Sequence, residues 1–221
     1  MAKNNKSGFK GAIFDVDGVI IDTAHIHHKS WQAVLKKYGI DFTFKDFKDK
    51  IDGKPRAKGA RTIMPGLDDP EIEEICGKKQ EHFVKFLKKS EVKVFKSTVN
   101  FIRAIKKAGI KLAMASSSKN AGPILKKIKL YPLFDAEVEG ASLKRGKPHP
   151  DIFLTAAKRL GLKPEECVVF EDAQIGIDAA VNAGIKSIAI ERGGSSKIKG
   201  ADLNVKDFSE LSMKKIKALF D

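Results

Sequence analysis

The stretch FKGAIFDVDGVIID, residues 9–22, joins a short apolar run to two closely spaced acids. Residues 9–14 predict a buried strand, because the run is apolar and too short for a helix. Asp15 follows that strand directly, and Asp17 comes two residues later, before a turn at Gly18. Carboxylates this close repel each other, so a cation is expected beside them. The segment therefore predicts a strand that carries two acidic side chains to one edge of a sheet.

Further apolar runs predict strands at residues 111–115, 167–170, 186–190 and 201–205. They do not alternate strictly with polar residues, as expected for parallel strands that are covered on both faces. Helical patterns at residues 98–108, 150–160 and 175–183 lie between them, and each is followed by a glycine suited to ending a helix: Gly109, Gly161 and Gly184. This alternation predicts an α/β fold, a doubly wound, Rossmann-like parallel sheet.

Residues 23–92 interrupt the alternation, because they contain no strand-like run. Helical patterns at residues 24–38, 44–51, 55–64 and 69–89 predict a small helical domain inserted after the first strand. We therefore expect an α/β core domain of residues 1–22 and 93–221, and an inserted α-helical cap domain of residues 23–92.

The composition of the chain narrows the classes of function. Hydrophobic residues make up 42% of the 221 residues, which suits a packed globular protein. No apolar run is long enough to span a bilayer, and the polar start lacks a signal-peptide pattern. Two distant cysteines, Cys76 and Cys167, do not indicate a disulfide framework. We expect a cytoplasmic monomer that does not bind membranes.

The formal net charge of +14 raises the alternative of a nucleic-acid-binding protein. Only six of the 42 basic residues are arginines, and the lysines are spread along the chain without a long run. That distribution favours a solvated lysine-rich surface, or an anionic small substrate, over a nucleic-acid partner. Salt-dependent binding of DNA or RNA would support the alternative.

Four polar clusters follow the predicted strands or lie between them. They are Asp15 to Gly18, Ser116 to Asn120, Lys147 to Pro150, and Glu171 with Asp172. In an open parallel sheet, ligands bind beyond the carboxyl ends of the strands. Carboxylates without nearby His or Cys suit Mg²⁺, and a lysine with a serine hydroxyl suits a phosphate. Each cluster alone also fits an ordinary turn, loop or helix start. Together they predict phosphoryl transfer through an aspartyl-phosphate.

These four motifs resemble those of the haloacid dehalogenase superfamily, and the resemblance covers nearly the whole chain. Within the superfamily, the segments at residues 14–24, 115–120 and 147–153 are most similar to the β-phosphoglucomutases. The resemblance implies that Asp15 is the phosphorylated nucleophile and Asp17 the general acid/base. It implies further roles for other residues: Mg²⁺ binding by Asp15, Asp17, Glu171 and Asp172; phosphate binding by Ser116, Ser117 and Lys147; distal phosphate binding by Arg56, Ser118, Lys119 and Asn120; and hinge or acid/base positioning by Thr23 and His27.

The implied activity is the interconversion of β-D-glucose 1-phosphate and glucose 6-phosphate, with a small sugar phosphate as substrate. The alternative is a sugar-phosphate phosphatase of the same superfamily. Asp52 stands where those mutases usually present a lysine, which removes a positive charge near the sugar, and Lys54 or Lys79 could compensate for that loss. His25 and His28 share a helix face, but no third ligand at a telling distance supports a metal site there.

Overall fold

The computed structural model describes residues 8–52, 54–192 and 197–221. Its strands are β1 (Gly11–Phe14), β2 (Ile21–Asp22), β3 (Lys93–Val94), β4 (Lys111–Ser116), β5 (Ala136–Glu139), β6 (Cys167–Glu171), β7 (Lys186–Ile190) and β8 (Leu203–Val205). Its α-helices are α1 (Ala24–Leu35), α2 (Phe44–Lys50), α3 (Arg56–Ile63), α4 (Asp69–Lys89), α5 (Lys96–Lys107), α6 (Ala121–Lys127), α7 (Asp151–Leu160), α8 (Gln174–Asn182) and α9 (Met213–Lys217).

Within the described ranges, six strands form one parallel sheet in the order β5-β4-β1-β6-β7-β8. β1 lies near the centre, where Phe14 pairs with Met114 of β4 on one side and Phe170 of β6 on the other. The strand order changes direction at β1, and open α/β sheets bind ligands at such a point. The predicted doubly wound, Rossmann-like α/β fold is confirmed.

Both faces of β1 are buried, which explains why its sequence does not alternate. On one face, Phe14 stacks on Phe170 with ring centroids 4.6 Å apart, and Phe208 lies 5.2 Å from Phe170. On the other face, Ile13 belongs to a cluster that includes Phe153 of α7. Truncating a buried Phe to Ala costs about 3–5 kcal/mol, so these contacts hold the strand that ends at the acidic pair.

The chain divides into two compact units. One unit comprises the described residues up to Ile21 and those from Val94 onward, and the other comprises Asp22–Lys93. β2 and β3, which pair with each other, lie at the two positions where the chain passes from one unit to the other. The second unit is therefore an insertion after the first strand of the sheet.

The inserted unit is helical and has its own core. Trp31 of α1, Phe47 of α2 and Ile75 of α4 are buried together in it. Capping boxes begin two of its helices, with Thr43 before α2 and Asp68 before α4 accepting from the main chain of the first turn. The capping boxes thus fix where α2 and α4 begin, and the buried apolar residues hold both helices in the core of this unit.

The predicted helix ends are confirmed at Gly109, Gly161 and Gly184, where φ is +80°, +67° and +65°. β5 was not predicted, because its sequence Ala-Glu-Val-Glu is not an apolar run and only Val138 in it is buried. α6 is short and contains Gly and Pro, so it also lacked a helical signal. In the described part of the chain, no helix combines the length and apolar character needed to cross a membrane.

Candidate active site

Asp15 follows the central strand and is buried at its carboxyl end. Its main-chain N–H donates to the carbonyl of Phe170 at 3.0 Å, which continues the pairing of β1 with β6 beyond the strand. Only 7% of Asp15 is exposed. The sheet therefore fixes this carboxylate beside the end of β6, where Glu171 is the last strand residue.

The ammonium of Lys147 joins Asp15 to Glu171. Its Nζ lies 2.7 Å from Oδ1 of Asp15 and 2.8 Å from Oε2 of Glu171, and 7% of its side chain is exposed. Burial works against the charged ammonium, but the two carboxylates outweigh burial and raise the pKa of Lys147. Lys147 is therefore protonated at any physiological pH and crosslinks residues that are 132 and 24 positions away in sequence.

A third acid adds to the negative charge here. Asp15, Glu171 and Asp172 each offer an oxygen, and these oxygens all lie within 4.8 Å of one another. Burial raises the pKa of Glu171; Lys147 opposes this rise and Asp15 adds to it. Three carboxylates with one nearby ammonium leave negative charge in excess, and all the donors are oxygens. This cluster fits a hard divalent cation such as Mg²⁺.

Two glycines provide the room that the acids occupy. Gly18 has a φ of +80°, and a Cβ there would collide with the carboxylate of Asp172. A Cβ on Gly176 of α8 would collide with the carboxylate of Glu171. Sequence reasoning identified Gly18 only as a turn residue and did not identify Gly176; the packing shows that both positions exclude a side chain.

Asp17 lies on a tight turn that follows β1. The Gly18 N–H donates to the carbonyl of Ile21 at 2.7 Å, and the Ile20 N–H donates to that of Val16 at 2.9 Å. Asp17 and Ile21 also form an isolated bridge. The carboxylate of Asp17 is not a member of the acidic cluster found among the described residues. The turn therefore gives the two acids of the opening segment different surroundings.

Ser116 ends β4 and begins a loop of small polar residues. It is 3% exposed, and its Oγ accepts a hydrogen bond from the Ser118 N–H at 3.1 Å. The Oγ of Ser118 in turn accepts from the N–H of Asn120 at 3.2 Å, and Asn120 is buried. Ser117 and Lys119 are exposed between them. Because β4 neighbours β1, Ser116 lies at the same edge of the sheet as Asp15.

The helical unit contains a separate cluster of basic side chains. Nζ of Lys79 lies 2.7 Å from Nδ1 of His27, and Lys79 is 2% exposed. Nη2 of Arg56 donates to Oε1 of Gln80 at 2.8 Å. Burial lowers the pKa of His27 well below 6.5, and the charges of Lys79 and Arg56 lower it further. His27 is therefore neutral, accepts from Lys79 at Nδ1 and carries its proton on Nε2.

Sequence reasoning mentioned Lys79 only as a possible substitute for the missing lysine. A stronger signal was available: Lys79 falls on the apolar stripe of α4 with Ile72, Ile75 and Phe83, all of them buried. A lysine on a buried stripe requires a partner for its charge. Here the partners of the Lys79 ammonium include His27 and the Phe83 ring, whose centroid lies 4.8 Å from Nζ.

Other residues singled out in the sequence have structural surroundings. Thr23 is buried before α1, and its carbonyl accepts from the N–H of His27 at 2.9 Å. His28 Nε2 lies 2.9 Å from the carbonyl of Phe42, and His25 stacks on an aromatic ring. Neither histidine belongs to a metal-binding group within the described ranges. Asp52 forms an ion pair with Lys48 one turn earlier.

The predicted site residues thus fall into two sets, one in each compact unit. The sheet unit brings together Asp15, Lys147, Glu171 and Asp172, and it also holds the remaining predicted residues of this set: Asp17, Ser116, Ser117, Ser118, Lys119 and Asn120. The helical unit holds Thr23, His27 and Arg56.

Comparisons with known proteins agree with this architecture. The family model described as haloacid dehalogenase-like hydrolase matches residues 9–184. A β-phosphoglucomutase of Bacillus subtilis is 32% identical over 211 residues, covering 92% of each chain. A phosphorylated carbohydrates phosphatase of Thermotoga maritima is 34% identical over 188 residues, covering 81% of this chain and 83% of the relative.

A solved structure is similar over the same extent. The crystal structure of a β-phosphoglucomutase from Clostridium difficile has a TM-score of 0.84 and 29% identity, covering 96% of this chain and 97% of that chain. The motifs, the fold and the family match agree with one another. The chain therefore belongs to the haloacid dehalogenase-like hydrolase family and is an enzyme of its phosphatase or phosphomutase type.

Proposed function

We propose that the protein is a β-phosphoglucomutase, which converts β-D-glucose 1-phosphate to glucose 6-phosphate through a β-glucose 1,6-bisphosphate intermediate. The observation that carries the proposal is that each unit holds cations away from bulk solvent: Lys147 is buried in the sheet unit, and in the helical unit Lys79 is buried and Arg56 is half-buried. A mutase must hold phosphate groups at both ends of a bisphosphate, whereas a phosphatase needs one phosphate site.

Asp15 is the nucleophile in this proposal. A carboxylate oxygen of Asp15 attacks phosphorus, the bond between phosphorus and the sugar oxygen breaks, and an aspartyl-phosphate forms. Lys147, which already holds Oδ1 of Asp15, neutralises charge on the transferring group, and the Ser116 hydroxyl donates to one of its oxygens. In the first transfer, the aspartyl-phosphate gives its phosphoryl group to the 6-hydroxyl of the sugar. In the second transfer, Asp15 takes the phosphoryl group from the 1-position.

Asp17 is the general acid/base. It gives a proton to the sugar oxygen that leaves phosphorus, and it takes the proton from the hydroxyl that attacks in the other direction. Its carboxylate is not one of the three whose oxygens lie within 4.8 Å of one another, so its proposed role is separate from that of the cluster.

The acidic cluster fits Mg²⁺ by its all-oxygen donors and its excess negative charge. Asp15, the main-chain carbonyl of Asp17 and Asp172 would hold the ion, with Glu171 beside them. When bound, Mg²⁺ neutralises negative charge on the transferring phosphoryl group.

From the resemblance, we assign distal phosphate binding to Arg56 of the helical unit and to Ser118, Lys119 and Asn120 of the sheet unit. Arg56 is preorganised, because its guanidinium is held by Oε1 of Gln80 and lies 3.5 Å from the carbonyl of Cys76. A planar guanidinium suits bidentate binding of phosphate. His27 contributes a neutral N–H donor at Nε2, which suits a sugar hydroxyl.

The test supplies β-D-glucose 1-phosphate, Mg²⁺ and a trace of the bisphosphate, and measures glucose 6-phosphate and inorganic phosphate in the same reaction. We expect glucose 6-phosphate without matching release of phosphate. Asp15→Asn is the control for contaminating activity and should abolish both products. Arg56→Gln should lower mutase turnover at least about tenfold, because it removes the distal contact.

One observation favours the alternative of a sugar-phosphate phosphatase. Asp52 and its partner Lys48 present an exposed ion pair where the mutases have a cation, so the charge offered to a sugar phosphate is lower. In that case water replaces the sugar hydroxyl as acceptor of the phosphoryl group. Release of one phosphate per substrate consumed, with no glucose 6-phosphate, would support the phosphatase and contradict the mutase.

A further inference from the structure

Arg192, which follows β7, links three separate parts of the sheet unit. Its Nη1 donates to the carbonyls of Gly18 at 3.2 Å and Val19 at 2.8 Å. Its Nη2 donates to Oγ1 of Thr98 at 2.8 Å and pairs with Oδ2 of Asp207 at 3.2 Å. One guanidinium therefore ties the turn after β1 to helix α5 and to the segment after β8.

The surroundings of Arg192 hold its side chain in a single geometry. The guanidinium carbon lies 3.9 Å from the centre of the Phe95 ring, and 14% of the side chain is exposed. Two acceptors of Arg192 are also held from a second side: Thr98 Oγ1 donates to the Val19 carbonyl at 2.8 Å, and Asp207 Oδ2 accepts from a serine hydroxyl at 2.6 Å. A planar fork can satisfy such divergent acceptors, whereas a lysine ammonium cannot match them.

The turn held by Arg192 is the one that carries Asp17. Gly18 and Val19 follow Asp17 directly, and the next carbonyl, of Ile20, accepts from the N–H of Phe95 at 3.0 Å. Because α5 begins one residue after Phe95, these bonds attach the turn to a rigid helix. Without Arg192 and the Phe95 N–H, the turn loses three of the hydrogen bonds that attach it to the rest of the sheet unit.

We propose that Arg192 is a positioning residue for the general acid/base Asp17. The inference rests on the proposed role of Asp17 in phosphoryl transfer. The hydrogen bonds of Arg192 reach the turn, Thr98 and Asp207, and its positive charge also interacts with Asp172 of the acidic cluster. The proposed effect on proton transfer is through the turn, because displacing a reacting group by about 1 Å costs on the order of a hundredfold in rate. An effect through Asp172 would instead slow the reaction of both leaving groups.

The experiment compares two leaving groups. A sugar alkoxide needs a proton from Asp17 as its bond to phosphorus breaks, whereas p-nitrophenolate leaves as a stable anion without one. The first-turnover release of p-nitrophenolate therefore reports attack by Asp15 alone. In Arg192→Gln, we expect kcat with the sugar phosphate to fall about tenfold to a hundredfold, and the p-nitrophenyl phosphate burst rate to change less than about twofold.

Three variants control for folding and for charge. Arg159→Gln removes another arginine that donates to a main-chain carbonyl, that of Glu137, and should leave both rates unchanged. Thr98→Val removes one hydroxyl of the network while keeping the shape, and should give the same split as Arg192→Gln even if the latter is unstable. Arg192→Lys keeps the charge near Asp207 and should not restore sugar-phosphate turnover.

The outcomes separate this inference from the proposed function. If the wild type transfers phosphate from neither substrate, the proposed function fails. The inference is overturned if the wild type is active but Arg192→Gln and Thr98→Val slow the reactions of the sugar phosphate and of p-nitrophenyl phosphate equally, or slow neither reaction. In that case Arg192 has a structural role only. Full turnover in Arg192→Lys would also overturn it, because a single ammonium would then suffice.

Discussion

Replacing Gly176 with alanine tests whether packing sets the position of Glu171. Gly176 lies in the first turn of α8, and an added Cβ would overlap the carboxylate of Glu171. Glu171 cannot move away freely, because it is 2% exposed and its Oε2 accepts from Lys147 at 2.8 Å. The substitution adds one methyl group, yet it forces the acid out of its pocket.

The expected size of the effect follows from three contributions. Overpacking a core position costs about 1–3 kcal/mol. Losing the charged hydrogen bond between Lys147 and Glu171 costs about 1.5–3 kcal/mol. Alanine has a higher helix propensity than glycine, which stabilises the folded protein by up to about 1 kcal/mol. The free energy of unfolding should fall by about 3 kcal/mol, which for this chain length lowers Tm by about 9 °C.

Activity should fall together with stability, because Lys147 also holds Asp15, the proposed nucleophile. Thermal unfolding and kcat with β-D-glucose 1-phosphate would be measured on the same protein, and we expect kcat to drop at least about tenfold. The double variant Gly176→Ala/Glu171→Asp shortens the acid by one methylene group. Its loss of stability should be smaller than the sum of the two single losses, since the collision is relieved.

A matched glycine supplies the control. Gly77 lies within α4, and apart from its chain neighbours and the backbone of its own helix no atom is within 4 Å of the position that its Cβ would take. Gly77→Ala should leave Tm unchanged or raise it slightly, and should not alter kcat. The reasoning would be refuted if Gly176→Ala had the Tm and the kcat of the wild type. The position of Glu171 would then not depend on the absence of a side chain at residue 176.

Further predictions concern charge in each unit. Lys79→Met should raise the pKa of His27, although burial still keeps that pKa below 6.5. NMR titration of the imidazole would measure the change, and an unchanged pKa would show that the Lys79 charge has no influence on it. Because the pKa of His27 is lowered on folding, unfolding free energy should decrease as pH falls below about 6.5, and a flat profile would contradict this. Burial opposes ionisation of Asp207, but hydrogen bonds hold its pKa well below the usual range. The contribution of ionised Asp207 to the free energy of unfolding is therefore present above about pH 4 and is lost as the pH falls below that value. The Tm of Asp207→Asn should be lower than that of the wild type at about pH 6 and should approach it near pH 2. A difference in Tm that stays constant with pH would contradict the prediction. Asp52→Lys should raise the ratio of glucose 6-phosphate formed to phosphate released; a lower ratio would show that the missing cation does not limit mutase turnover.

The central part of the fold was predictable, because its signals are local. A doubly buried strand needs an apolar run, and a helix that returns antiparallel to it ends most easily at a glycine. β1 and the glycines after α5, α7 and α8 follow these rules. β5 does not, since an edge strand is half exposed and its alternating acids resemble a loop.

The side chains of the site were predictable by type but not by their partners. Position after a strand end indicated Asp15 and Ser116, because parallel strands bring their carboxyl ends together. Arg192 lies 174 residues from Gly18, whose carbonyl it binds, and no local pattern marks such a pair. Lys79 could have been found from its place on a buried stripe, but not its pairing with His27, 52 residues away.

The spacing of the acidic motifs is explained by packing as well as by chemistry. Two acids of the cluster occupy space that a glycine leaves open: a Cβ on Gly18 would collide with Asp172, and a Cβ on Gly176 would collide with Glu171. Gly18 belongs to the turn after β1, whereas Asp172 follows β6, so the first contact joins two neighbouring strands of the sheet. Two of the three carboxylates that lie within 4.8 Å of one another beside Lys147 therefore sit against a glycine. The glycines are therefore as necessary to the cluster as the carboxylates, and a substitution at either should displace an acid without removing any charge.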